Sequence, residues 1–129
     1  MPQNEAALER KLLIVDDSKV SRMIIRGFFA KMCPAWVVQE AGSGDAALAL
    51  LAEFQPDFVT MDVNMPGISG FDAAEQIMAR DSKVRLVMLS ANIQESSVRM
   101  AASLRLNFVA KPATEASLQQ ALNHLLASA

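Results

Sequence analysis

The chain has a single cysteine, one histidine, one tryptophan and no tyrosine. One cysteine excludes an internal disulfide, so a reducing cytoplasm is the expected home. Cys33 precedes Pro34 and has only Lys31 nearby to activate it, which reads as a packed thiol and not a nucleophile. The lone histidine, His124, falls near the end of the last predicted helix, far from the other chemistry-bearing residues, and reads as a helix-end residue. No apolar run is long enough to span a bilayer. The N-terminus carries acids and lacks the apolar segment of a secretory signal. Basic side chains number 12 and acidic ones 14, a net charge of -2, so there is no basic footprint for nucleic acid. What is present is apolar: 52% of 129 residues, enough for one domain with a full core.

The apolar residues are grouped in short runs, and four runs end on reactive groups. Val59-Thr60-Met61 ends on Asp62 and leads into Asn64-Met65-Pro66-Gly67. Leu12 to Val15 ends on Asp16-Asp17, Val84 to Leu89 on Ser90, and Phe108-Val109-Ala110 on Lys111. Each run reads as a buried strand opening into a loop. Between them lie helical periods. Ser18 caps a helix from Lys19 to Met32, marked by Val20, Met23, Ile24, Gly27, Phe28 and Lys31 and stopped by Pro34. Trp36 to Ala41 is the second strand. Helices follow over Asp45 to Phe54, Phe71 to Arg80 and, more weakly, Gln94 to Leu104. A last helix capped by Thr114 buries Leu118, Ala121, Leu122 and Leu125. Residues 1 to 10 are expected to be a polar tail or a short extra helical turn, and residues 11 to 129 to form the domain. Five strands alternating with helices predict a parallel sheet covered on both faces. The flavodoxin-like strand order 2-1-3-4-5 is the commonest for this pattern. That order makes the first and third strands central neighbours, so Asp16, Asp17 and Asp62 converge at the ligand-binding end of the sheet.

Three converging carboxylates repel one another unless a cation joins them. Oxygen ligands with room for water suit Mg²⁺, with Mn²⁺ as a substitute. A lysine and a hydroxyl beside an open coordination position suit a phosphoryl group. Asp62 is then either a metal ligand only or a nucleophile that forms an acyl phosphate.

Taken in order, Asp16-Asp17, Asp62 with Asn64-Met65-Pro66-Gly67 and Gly70, Ser90-Ala91 and Lys111-Pro112 resemble the receiver domain of two-component response regulators, most closely the stand-alone chemotaxis type. The resemblance covers roughly residues 11 to 127. It implies that Asp62 accepts a phosphoryl group from a phosphohistidine on a sensor histidine kinase or a histidine phosphotransfer protein. It implies Mg²⁺ held by Asp17 and Asp62, by Asp16 through water and by the backbone carbonyl of Asn64. Ser90 and Lys111 would bind the phosphoryl oxygens, with Ser90 and Phe108 moving together as a switch. The Lys111–Pro112 bond is expected to be cis. With no output domain in the chain, the signal is expected to pass by protein contact, to an unknown target, through the fourth helix, fifth strand and fifth helix, which expose Gln94, Arg99, Gln119, Gln120 and Asn123. Neither nucleic acid nor membrane is an expected partner. A monomer is expected, with a phosphorylation-linked dimer as the alternative. Self-catalysed acceptance and loss of the phosphoryl group would be the only chemistry. The sequence departs from the family at Phe108, often a tyrosine, and at Leu104-Arg105, often Gly-Ala. The resemblance implies that Asn64 and Asn92 would flank the acyl phosphate, and both are amides, neither acid nor base.

Other readings remain open on the sequence. Gly42-x-Gly44-x-x-Ala47, with Asp62 twenty residues after Gly42, has the spacing of a dinucleotide fingerprint, but it follows a strand predicted to lie at the sheet edge. An Asp-nucleophile phosphohydrolase needs an acid/base two residues after the nucleophile, where this chain has Asn64. A receiver-fold interaction module or a relay intermediate without its own output would keep the fold.

Overall fold

The computed structural model describes residues 8–90, 95–104, 106–111 and 113–127, with the side chains of 95–98 left undescribed. Five strands alternate with five helices: β1 Lys11–Val15, α1 Lys19–Met32, β2 Val37–Ala41, α2 Gly44–Phe54, β3 Phe58–Asp62, α3 Gly70–Arg80, β4 Arg85–Ser90, α4 Glu95–Ser103, β5 Asn107–Ala110 and α5 Glu115–Ala127. The sheet is parallel and its order is β2-β1-β3-β4-β5. The expected doubly wound, flavodoxin-like architecture is therefore the observed one.

The central strands are mostly apolar because both of their faces are covered, with Thr60 of β3 a buried polar exception. Leu12, Ile14, Phe58, Val87, Leu89 and Val109 point to one side, against Ile25 and Phe29 of α1 and Leu118, Ala121, Leu122 and Leu125 of α5. Leu13, Val15, Val59, Met61, Leu86 and Met88 point to the other, against Ala47 and Phe54 of α2 and Ala73, Ala74 and Ile77 of α3. Trp36 precedes β2 instead of starting it. Its ring lies 5.7 Å from that of Phe29 and 4.8 Å from that of Phe58, closing one end of the first layer.

Helix caps follow the hydroxyls the sequence offers. Ser18, Ser43 and Ser69 each accept from the backbone N–H three residues on, satisfying one orphan donor per helix.

The stripe that marks α1 in sequence is not its buried face. Val20 and Met23 are 66% and 61% exposed, and Ile24 is also exposed. The sheet is met by Ile25 and Phe29, with Phe28 half-buried beside them. α1 carries two apolar stripes, and sequence periodicity alone does not say which one the sheet takes. Lys111 was expected to close the fifth strand, but β5 ends at Ala110 and Lys111 lies one residue beyond it. Residues 8–10 form no helical turn, and Arg10 already accepts a hydrogen bond from the Val37 amide at 2.8 Å. Ala91, Asn92, Gln94, Arg105 and the Lys111–Pro112 bond lie outside the described residues.

Two glycines set close approaches around the end of β3. A Cβ on Gly70 would lie 2.0 Å from the Asp62 carbonyl oxygen. Only glycine lets the first residue of α3 sit against the backbone of Asp62. A Cβ on Gly44 would come within 2.6 Å of Ile68 and 3.1 Å of Ala73. That glycine serves the packing of α2 on α3. With β2 at the sheet edge, packing accounts for it without a dinucleotide.

Candidate functional site

The C-terminal ends of β1 and β3 lie side by side, with Val15 paired to Met61. Asp16 follows β1 directly and Asp62 is the last residue of β3. One carboxylate oxygen from each of Asp16, Asp17 and Asp62 falls within 4.8 Å of the others. Asp16 and Asp62 are buried, at 1% and 6% exposure. Asp17 is exposed at the mouth.

Lys111 reaches this cluster from beyond β5. Its Nζ lies 2.5 Å from Asp16 Oδ2 and 3.6 Å from Asp62 Oδ1. Its position is set by its backbone N–H, which donates to the Ser90 carbonyl at 2.8 Å. Ser90 ends β4 and is fully buried. β3 pairs Asp62 with Leu89, so Ser90 lies at the same lip, one residue further along.

The three carboxylates are held differently. Asp16 Oδ1 accepts from the Ser18 amide at 2.9 Å, and Oδ2 accepts from the Ser21 hydroxyl at 2.8 Å as well as from Lys111. Asp16 is thus largely saturated by the protein, whereas Asp62 has Lys111 at 3.6 Å from its Oδ1 and Asp17 is exposed.

One ammonium against three carboxylates leaves the cluster with a net charge of about -2 when all are ionised. Burial pushes the Asp62 carboxyl up to about 6 from its ordinary 3.8; Lys111 pulls it back, and Asp16 and Asp17 push it further up. A buried carboxylate so disfavoured as an anion is suited to a bound cation. The donor set is all oxygen, as a hard divalent ion requires.

The other expected site residues fall around this lip. Asn64 lies in the exposed loop after Asp62. Phe108 is half-buried on β5, packed with the core layer under α2 and α3, opposite Met88 of β4. Ser21 and Arg22, which were not singled out from the sequence, also contact the site. Arg22 Nη1 donates to the Asp16 carbonyl at 2.6 Å. Neither belongs to a recognisable motif; the only signal is their place in the first turn of the helix that follows Asp16. Cys33 is buried, and its thiol is raised to about 11 by burial, which keeps it protonated and unreactive. His124 lies in the last turn of α5, outside the cluster.

A model of the response regulator receiver domain matches residues 12–123 of the chain. The chain belongs to that family. Among relatives, the chemotaxis protein CheY of Thermotoga maritima is 34% identical over 115 residues, spanning 88% of this chain and 95% of its own. A protein-glutamate methylesterase/protein-glutamine glutaminase of Geobacillus kaustophilus is 37% identical over 111 residues. That match covers 84% of this chain but only 32% of the larger enzyme, so what is shared with it is the receiver portion. Among solved structures, the CheX–CheY–BeF3–Mg²⁺ complex of Borrelia burgdorferi superposes with a TM-score of 0.82 at 25% identity, covering 92% of this chain and 90% of that one. This receiver domain is therefore of the CheY type, and its fold and acidic cluster are consistent with phosphorylation-dependent signalling. No described helix is long and apolar enough to cross a membrane.

Proposed function

We propose that this receiver domain is a phosphorylation-dependent switch in which Asp62 takes a phosphoryl group from a phosphohistidine of a sensor kinase or a histidine phosphotransfer protein. The observation that carries the reading is the convergence of the Asp16, Asp17 and Asp62 carboxylates within 4.8 Å, with the Lys111 ammonium 3.6 Å from Asp62. Asp17, Asp62 and the backbone carbonyl of Asn64 would hold Mg²⁺ directly. Asp16, already saturated by Ser18, Ser21 and Lys111, would act through water. When bound, Mg²⁺ supplies charge neutralisation and polarisation of phosphoryl oxygens.

Asp62 supplies the attacking oxygen. A P–O bond forms to its Oδ as the P–N bond of the donor breaks. The imidazole nitrogen leaves with the electron pair and takes a proton from water. Lys111 offsets charge on the phosphoryl oxygens, and the Ser90 hydroxyl donates to one of them. Hydrolysis reverses the modification when water attacks the phosphorus and frees the Asp62 carboxylate. Asn64 carries an amide where a phosphohydrolase would need an acid/base, so repeated turnover on free phosphomonoesters is not expected.

Signalling then rests on a shift between two states of α4, β5 and α5, with Ser90 drawn toward the phosphoryl group and the Phe108 ring moving inward. The exposed side of this face carries Arg99, Gln120 and Asn123, with Gln119 donating to Asn123 Oδ1 at 3.0 Å. Such a weakly charged surface suits a reversible protein partner. The Borrelia relative, in complex with CheX and Mg²⁺, is consistent with such an output.

Phosphotransfer tests the reading. A histidine phosphotransfer protein carrying labelled phosphate on its histidine should pass label to this chain with Mg²⁺ and not after chelation. Label that stays on the donor under both conditions would refute it.

A further inference from the structure

We propose that Arg22 is a positioning residue for the acidic pocket: it fixes Asp16 and Asp17 by holding the backbone carbonyl of Asp16, and Glu40 orients it to do so. The proposal rests on the reading of the pocket as a divalent-cation site.

The backbone at Asp16 leaves the sheet on one side only. Its N–H continues the ladder to the Ala41 carbonyl at 3.1 Å. Its carbonyl lies past the last residue of β1, where no strand supplies a donor. Arg22, one turn after Ser18 on α1, fills that role with Nη1 at 2.6 Å. The same guanidinium donates through Nε to Glu40 Oε1 at 3.0 Å. The other Glu40 oxygen takes Arg26 Nε at 2.7 Å, and Arg26 Nη2 donates to the Val38 carbonyl at 3.1 Å. The start of α1, the turn after β1 and the edge strand β2 are thereby joined by one set of charge-assisted bonds. The two arginines hold the Glu40 carboxyl below its ordinary value.

This arrangement requires arginine. A planar fork with several donors can hold a carbonyl and a carboxylate at once, whereas an ammonium on a flexible stem is a single point charge. The Arg22 side chain is 18% exposed and that of Glu40 28%, so the pair is partly sheltered from solvent.

The sign of the effect separates positioning from simple charge. Arg22 is a cation beside a cation site. If it acted only through its field, removing it would tighten Mg²⁺ binding. If it acts by fixing Asp16 and Asp17, removing it weakens binding, since loss of a residue that orients ligands typically costs about 10- to 100-fold in affinity.

The test uses the full chain, unphosphorylated, with Mg²⁺ affinity read by calorimetry and amide hydrogen exchange read without metal. Arg22→Met should weaken Mg²⁺ binding about tenfold. It should also speed exchange at the Ser18 amide, which donates to Asp16 Oδ1, while the β3 and β4 amides stay protected. Glu40→Gln should shift both readouts in the same direction by less. Arg22→Lys keeps the charge and should be only partly restored. Binding in Arg22→Met as tight as or tighter than in the parent chain, or unchanged Ser18 protection, overturns the proposal. A parent chain that binds no Mg²⁺ would instead refute the cation site itself, and the exchange measurement would still decide the positioning role.

Discussion

Replacing Asp62 by Asn should make the protein more stable in the absence of divalent cations, by an amount that depends on pH. Asp62 is 6% exposed, and burial pushes its carboxyl up to about 6 from 3.8. An acid whose folded value lies above its unfolded value binds more protons in the folded state, so stability falls as pH rises between the two. The penalty is absent well below 3.8 and complete above about 6. At about pH 7.5 the separation of roughly two pH units corresponds to about 3 kcal/mol, and at about pH 4.5 to about 1 kcal/mol. Asn keeps the shape and polarity of the side chain and removes the charge. The comparison of Asp62→Asn with the parent chain therefore isolates the ionisation. Trp36, the single tryptophan, is buried against Phe29 and Phe58 and reports unfolding by fluorescence in urea. The variant should be more stable at about pH 7.5 by about 2–3 kcal/mol, with the gain shrinking at about pH 4.5. Millimolar Mg²⁺ should raise the stability of the parent chain and not of the variant, since the folded state alone assembles the site. An Asp62→Asn protein that is less stable than the parent at neutral pH, or a difference that does not change with pH, would refute the electrostatic account of the pocket.

Thr60 lies on β3 two residues before Asp62, is 1% exposed, and its hydroxyl has no hydrogen-bond partner among the described residues. The isosteric Thr60→Val should stabilise the fold by about 1–2 kcal/mol in urea titrations, and a loss of stability would show that the hydroxyl is satisfied. Gly70→Ala should cost about 3 kcal/mol or more because its Cβ would meet the Asp62 carbonyl oxygen; unchanged stability would show that α3 moves away freely. Phe108→Ala should leave phosphorylation intact while weakening phosphorylation-dependent binding to a downstream partner, measured by calorimetry once that partner is known. Unchanged affinity would argue against the switch role of the ring.

The fold was legible because its signals are local. Apolar runs of strand length, the Ser18 and Thr114 caps and the break at Pro34 placed the elements, most ends falling within a residue or two. The acidic cluster was legible for a different reason: in a parallel sheet each strand end delivers its next residue to one edge, so Asp16, Asp17, Asp62, Ser90 and Lys111 were bound to gather once the strand order was known. The buried stripe of α1 was not legible, since Val20, Met23 and Ile24 are as apolar as Ile25 and Phe29 and only the sheet decides between them. Nor were the bonds of Ser21 and Arg22 to Asp16. They depend on how the first turn of α1 folds back over the end of β1, a geometry with no signature in spacing. Gly44 showed the opposite problem, a motif-like spacing produced by helix packing alone.

The central claim is that Asp62 is the phosphoacceptor, and intact mass tests it most directly. The chain would be incubated with a small acyl-phosphate donor, with and without Mg²⁺, beside Asp62→Asn. The account predicts a Mg²⁺-dependent gain of one phosphoryl group, about 80 Da, that is absent from the variant and removed by hydroxylamine, as an acyl phosphate requires. No gain, or a gain that persists in Asp62→Asn, would contradict it and leave the receiver fold as an interaction module.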